Sequence, residues 1–268
     1  MDFSEIKLVV TDMDGTLLNK KGEVSPRFFE QVRELKSHGI LISVASGRQY
    51  YSLINTLEEV KGELIFIAEN GAIVMEGEEQ LHIRPMGRPL AMEIVRCLKA
   101  IGGKYIIVCG KKGAYIEQTD PEFMTPFLMH YHTFEVVDDL LKVENDELLK
   151  VTVCDLSGAE VHTLPHVEHL KEELQVKLSG EIWVDFTHKQ AQKGNALQKL
   201  QEIYDIGPEE TMSFGDYLND LELFDHSHFS YAMANAHEEV RNKAAFLAKS
   251  NEEGGVLLIL EELLKSLK

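Results

Sequence analysis

Ile6-Lys7-Leu8-Val9-Val10-Thr11-Asp12-Met13-Asp14-Gly15-Thr16-Leu17-Leu18 is the stretch on which the rest of the chain is organised. The apolar run Ile6–Val10 reads as a short buried strand. It is followed by two carboxylates at spacing i, i+2 and by a glycine that lets the backbone turn. In open α/β sheets the carboxyl ends of the strands are where ligands bind. Two acids held this close repel, and the repulsion is relieved by sharing a proton or by binding a cation. Two other readings compete. A turn or helix cap accounts for any one of these residues taken alone. A calcium loop would use Asp12, Asp14, Thr16 and Glu23, but Leu17 stands where that loop needs glycine and the flanks read as strand.

Working outward, Ser25-Pro26 reads as an N-cap with proline at the first helical position, and Phe28, Phe29, Val32 and Leu35 continue a helix that Gly39 ends. Ile40–Ala45 is a second apolar strand, so strand, helix and strand form a βαβ unit with a parallel sheet. It ends in Ser46-Gly47-Arg48, before a helix expected over 50–60. A helix N-terminus there is already an anion site. Leu64–Ala68 is a third strand, ending in Glu69-Asn70-Gly71-Ala72, and 73–75 begins a hairpin-like return. From about His82 to His188 the grammar changes to paired helices and strands without acid-glycine strand ends. A polar helix is expected over 159–174, with His162, His166 and His169 on one solvated face and no matching metal-ligand partners. From Gln192-Lys193-Gly194-Asn195 the first grammar returns. A helix runs to Tyr204, Thr211–Phe214 is a strand ending in Gly215-Asp216-Tyr217-Leu218-Asn219-Asp220, and Phe229–Ala232 is another. The fold class is therefore α/β: a Rossmann-like parallel-sheet core, residues 1–81 and 189–268, interrupted by an inserted α+β domain, residues 82–188.

Composition narrows the function. With 268 residues and 44% hydrophobic content the chain can bury a substantial core. A net charge of −18 repels nucleic acid phosphates and anionic lipid, which argues against both as main partners. The three cysteines, Cys97, Cys109 and Cys154, are scattered singly and suggest buried thiols in a reducing compartment. No basic segment precedes an apolar stretch at the N-terminus, and no run approaches the ~18 apolar residues of a membrane span. A cytoplasmic protein is expected; its oligomeric state is open.

Four strand-end signals stand out: Asp12 with Asp14, Ser46, Lys193, and Asp216 with Asn219 and Asp220. Singly, each is an ordinary turn or surface residue. Together, in this order and with the insert between the second and third, they resemble the haloacid dehalogenase superfamily of phosphotransferases. The resemblance rests on Asp-x-Asp-Gly-Thr and Gly-Asp-x-x-Asn-Asp at strand ends, and is nearest to the Cof-type phosphatases, whose α/β cap is of type IIB. Glu69-Asn70-Gly71-Ala72, Met233-Ala234-Asn235-Ala236 and Glu252-Glu253-Gly254-Gly255-Val256 also look like that subfamily.

The resemblance implies a magnesium-dependent phosphatase acting on a small phosphorylated metabolite, sugar phosphates first, through an aspartyl-phosphate. Asp12 would be nucleophile and metal ligand, with the Asp14 backbone carbonyl and Asp216 completing the protein ligands to Mg2+. Asp14 would protonate the leaving oxygen and then activate water. Lys193 would offset charge on the nucleophile and phosphoryl oxygens. Ser46, Gly47 and Asn219 would bind the phosphate. Asp220 would orient metal-bound water or Lys193, and Arg48 would touch the phosphate or make a structural ion pair. A sugar phosphomutase shares every motif and is the alternative within this chemistry. A non-catalytic metal-binding module is the alternative outside it, and it has no use for Asp14 or Lys193.

Overall fold

The computed structural model describes residues 3–102 and 104–268. Among the described residues fourteen strands are numbered in chain order: β1 Leu8–Asp12, β2 Leu41–Ala45, β3 Ile65–Ala68, β4 Ile73–Glu76, β5 Glu79–Ile83, β6 Tyr105–Gly110, β7 Ala114–Ile116, β8 Phe134–Val136, β9 Leu148–Cys154, β10 Leu174–Gly180, β11 Trp183–His188, β12 Thr211–Gly215, β13 Phe229–Ala232 and β14 Phe246–Leu247. The chain divides into two compact units. One comprises Met1–Gly47, Thr56–His82 and Gln192–Lys268; the other comprises Arg48–Asn55 and Ile83–Ala191.

The first unit is built on a sheet of order β14-β13-β12-β1-β2-β3-β4-β5. β12, β1, β2 and β3 run parallel, as do β12, β13 and β14, and β4 returns antiparallel on β3. All five residues of β1 are buried, as a strand covered on both faces requires. The helix Pro26–Ser37 starts at proline and buries Phe28, Val32 and Leu35. Its Gln31 Nε2 donates to Leu257 O at 2.8 Å, tying it to the C-terminal helix Gly255–Ser266. Burial of one such side chain is worth about 1.5–3 kcal/mol, so packing rather than capping holds this helix, whose Ser25 side chain makes no cap bond.

The second unit has a sheet of order β10-β11-β9-β6-β7-β8, antiparallel except between β7 and β8. Alternation divides it into two faces. Val108, Val151, Val153, Val184 and Phe186 pack with Ala91, Ile94, Val95 and Leu98 of the helix Arg88–Ile101. Ile107, Cys109 and Ile116 face Phe123, Phe127 and Tyr131 instead.

Three expectations are corrected. The helix expected over 159–174 is broken into Ala159–His162, Leu164–Val167 and a 3-10 turn Glu168–Glu172 before β10. Pro165 supplies no N–H, and the hydroxyl of Thr163 turns inward to donate to Asp155 Oδ2 at 2.7 Å. The three histidines therefore do not share one continuous helix. The helix expected over 50–60 stops at Thr56, where Leu57 leaves helical geometry (φ −111°, ψ 30°) and a 3-10 turn Glu58–Glu63 follows. Residues 48–55, expected with the first unit, group with the second. There Gln49 Nε2 donates to Thr133 O at 3.1 Å and the Tyr51 hydroxyl to Lys111 O at 3.1 Å.

Asp155 is 1% exposed and accepts from Lys104, from Ser157 Oγ at 2.6 Å and from Thr163 Oγ1 at 2.7 Å. Burial pushes this carboxyl up, but the Lys104, Ser157 and Thr163 bonds together outweigh it and hold it down at about 2, against an ordinary 3.8. A depressed carboxyl stabilises above its unfolded value and loses that contribution as pH falls through its folded value, which amounts to about 2 kcal/mol at neutral pH. Asp155→Asn is expected to lower the unfolding free energy by about that amount at pH 7. In denaturant titrations the gap to wild type should shrink to about half by pH 3. A gap that does not change with pH would remove the charge from the explanation.

Candidate active site

The first unit gathers its candidate side chains at the carboxyl ends of its central strands because those strands are parallel neighbours. In register, Asp12 lies opposite Ala45, and Thr11 lies opposite Phe214. Asp12 ends β1, Ser46 follows the end of β2, and Asp216 follows the end of β12. Lys193 opens the helix Lys193–Tyr204, with no side chain capping it.

The Lys193 ammonium is 1% exposed and donates to Asp12 Oδ1 at 2.5 Å and to Asp220 Oδ1 at 2.7 Å. Asp220, fully buried, uses its other oxygen to accept the backbone N–H groups of Asp216 at 3.0 Å and Tyr217 at 3.1 Å. Both oxygens of Asp220 are thus engaged in holding the lysine and shaping the loop. Asp216 Oδ1 accepts from Thr16 Oγ1 at 2.7 Å. Gly15 takes φ +80°, and a side chain there would run into the Asp216 carboxylate. Asn235 Nδ2 donates to Gly15 O at 2.8 Å and Asn251 Nδ2 to Leu18 O at 2.8 Å, which clamps the Asp14 loop from a second side. Asp14 itself is exposed on this loop.

The electrostatics follow from three acids around one lysine. Burial opposes the charge on Lys193, but Asp12 and Asp220 override it and hold the ammonium above its usual value. Burial pushes the Asp12 carboxyl well above the usual range; Lys193 pulls it back, and Asp220 and Asp216 add to the rise. Asp216 is pushed up to about 6, chiefly by burial against the opposing Thr16 hydroxyl, with Asp220 and Asp14 adding. Carboxylate oxygens of Asp12, Asp216 and Asp220 lie within 4.8 Å of one another. The hydrogen bonds given above use Oδ1 of Asp12 and Oδ1 of Asp216, leaving Oδ2 of each outside them. Excess negative charge with two spare hard oxygens is a donor set that fits a divalent cation.

Of the residues expected from sequence, the structure brings Asp12, Lys193, Asp216 and Asp220 into direct contact or close approach, and places Ser46, Gly47 and Asn219 in the same unit. The Asp14 side chain is not in the carboxylate group, and Arg48 belongs to the second unit. Thr16, Asn70 and Asn235 received no role in the sequence reading. Thr16 and Asn235 hold the first loop, and Asn70 Oδ1 accepts from Asn219 Nδ2 at 3.1 Å. The signals for the asparagines are their position in turns directly after apolar strands and the likeness of Glu69-Asn70-Gly71-Ala72 and Met233-Ala234-Asn235-Ala236 to the subfamily, neither of which names a partner.

A parallel α/β sheet with a buried lysine-carboxylate centre and a cation-ready acid pair at its strand ends is an enzyme-like site placed where such sheets bind ligands. The chain belongs to the haloacid dehalogenase-like hydrolases, whose family model matches residues 9–260. It is 33% identical to the 5-amino-6-(5-phospho-D-ribitylamino)uracil phosphatase YbjI of Escherichia coli (strain K12), with 97% of each chain covered. It is 27% identical to YwtE of Bacillus subtilis (strain 168), which carries the same activity name, with 97% of this chain and 98% of that one covered. A solved HAD subclass IIB sugar phosphatase, 22% identical, shares the fold with a TM-score of 0.79 over 96% of this chain and 98% of that one. The chain is thus a HAD-type phosphatase, a phosphoric monoester hydrolase. Among the described residues no helix is long and apolar enough to cross a membrane.

Removing one partner of a buried ion pair typically costs 3–5 kcal/mol because the other charge is left uncompensated. Lys193→Met leaves Asp12 and Asp220 in that position, so unfolding in the presence of a chelator should show a loss of about 3 kcal/mol or more. A loss below about 1 kcal/mol would mean that the acids do not depend on this ammonium.

Proposed function

We propose that the protein is a magnesium-dependent phosphatase that hydrolyses phosphate monoesters of small metabolites through an aspartyl-phosphate on Asp12. The observation that carries this reading is the placement of Asp12: buried at the end of the central strand, one oxygen held by Lys193 and the other outside that bond. A carboxylate so oriented presents a fixed lone pair, and the reacting atoms need no search in conformation.

In this reading the Asp12 carboxylate forms the new bond to phosphorus while the ester P–O bond breaks. Asp14 gives its proton to the leaving oxygen. Water then attacks the phosphorus of the aspartyl-phosphate, Asp14 takes the proton back, and inorganic phosphate leaves with Asp12 restored. Lys193 stabilises charge on Asp12 and on the transferred phosphoryl group, and Asp220 holds the ammonium in place. Ser46, Gly47 and Asn219 donate to the phosphoryl oxygens. Asp12, the Asp14 carbonyl and Asp216 would hold Mg2+. When bound, the ion supplies the positive charge that lets an anionic carboxylate approach an anionic ester.

The two relatives named for a phosphoribitylamino substrate support a phosphate ester of a sugar or sugar alcohol as the substrate class. The net charge of −18 supports a small-molecule substrate rather than nucleic acid or a lipid surface, and the three cysteines, scattered singly and in no disulfide, support a cytoplasmic setting.

Hydrolysis of p-nitrophenyl phosphate tests the reading. Activity is expected to fall with chelator and return with magnesium, and Asp12→Asn should lower kcat by about 1,000-fold or more. Persistent activity in that variant would remove Asp12 as nucleophile. With sugar and sugar-alcohol phosphates the main product should be free phosphate; an isomerised sugar phosphate would point to mutase chemistry instead.

A further inference from the structure

Glu69, Asn70 and Gly71, after β3, take φ of 50°, 56° and 94° in succession. Non-glycine residues enter this region rarely, asparagine most readily, and a run of them persists only where the surroundings over-determine it. Here the surroundings are three of the strand-end segments already described. The Asn70 N–H donates to Ser46 O at 3.0 Å. Its side-chain amide lies against Gly47, where an added methyl would meet both Nδ2 and Oδ1 at 3.0 Å. Its Oδ1 accepts from Asn219 Nδ2 at 3.1 Å. Gly71 sits so close to the peptide before Lys193 that a methyl there would run into Gln192 O. All of these residues belong to the first unit, and Asn70 is 5% exposed.

We propose that Asn70 is a positioning residue for phosphate recognition. It fixes the amide of Asn219 and the Ser46–Gly47 turn relative to each other, so that donors from two separate loops reach one phosphoryl group. The geometry gives the reason. Asn219 lies in the short turn Leu218–Asp220 and is partly exposed. Its amide can rotate about its last torsion, and one N–H given to Asn70 fixes the plane and hence the direction of the second. The backbone bond to Ser46 and the contact with Gly47 make the same residue a spacer between the two loops. The left-handed backbone of Asn70 is what lets a single residue address one loop with its N–H and the other with its side chain.

The inference rests on Ser46 and Asn219 being phosphate ligands, and its test separates the two. Asn70→Gly removes the amide while glycine accepts φ +56° without strain. KM for p-nitrophenyl phosphate and the inhibition constant of inorganic phosphate would be measured, with magnesium, for wild type, Asn70→Gly, Asn219→Ala and the double variant. Asn70→Gly is expected to raise both constants about 10-fold, with kcat within about 3-fold, since binding of ground and transition states weakens alike. In the Asn219→Ala background the same change should add less than about 2-fold, because coupled residues are not additive. If Asn219→Ala weakens phosphate and Asn70→Gly does not, or if the two effects multiply, the positioning role is overturned while the ligand reading stands. If Asn219→Ala leaves both constants unchanged, the ligand reading fails and takes the inference with it.

Discussion

The site depends on one buried ammonium. Lys193 is the cation that the structure bonds to both Asp12, at the end of β1, and Asp220, in the turn Leu218–Asp220. A lysine at 1% exposure is tolerated only because both acids are in hydrogen-bond contact, and the acids are tolerated only because the lysine is there. The pairing fixes geometry on both sides. Asp12 has one oxygen committed and one outside that bond, and Asp220 has its second oxygen on the backbone of its own loop, which sets the turn that carries Asp216. A third acid then overcharges the centre. The excess is what makes the site a place for a cation rather than a closed salt bridge.

Much of this was legible in the chain itself. Short apolar runs ended by Asp-Gly, Ser-Gly and Gly-Asp announce buried parallel strands with functional ends, since a strand covered on both faces has no polar residues to spare elsewhere. The α/β class followed from that grammar, and the meeting of Asp12, Lys193, Asp216 and Asp220 from the family resemblance that these motifs carry. What was not legible are partnerships between turns. Asn235 reads as an ordinary turn residue, and nothing local says that its amide will reach Gly15, 220 positions away. The same holds for Asn70 and Asn219, 149 positions apart. Periodicity also misled where a tertiary bond overrode it. The polar pattern over 159–174 suits one helix, but Thr163 gives its hydroxyl to a buried Asp155 and Pro165 follows two residues later.

The first loop shows how local strain and distant support divide the work. Gly15 sits in a left-handed conformation beside the Asp216 carboxylate, so the chain can turn there only without a side chain. The loop is then held by Thr16 on Asp216, Asn235 on Gly15 and Asn251 on Leu18. The loop that carries Asp14 is therefore held by Thr16, Asn235 and Asn251 rather than by contacts of its own backbone alone.

These supports have a consequence for how the protein comes to be made. The lysine bonded to Asp12 lies 181 positions after it, and the contacts that hold the loop beyond Asp12 span 200, 220 and 233 positions. Contacts of such long sequence separation form late and slowly. Until the segment through Asn251 has been made, Asp12 has no complete site around it, so the centre is assembled only when segments far apart in the chain come together.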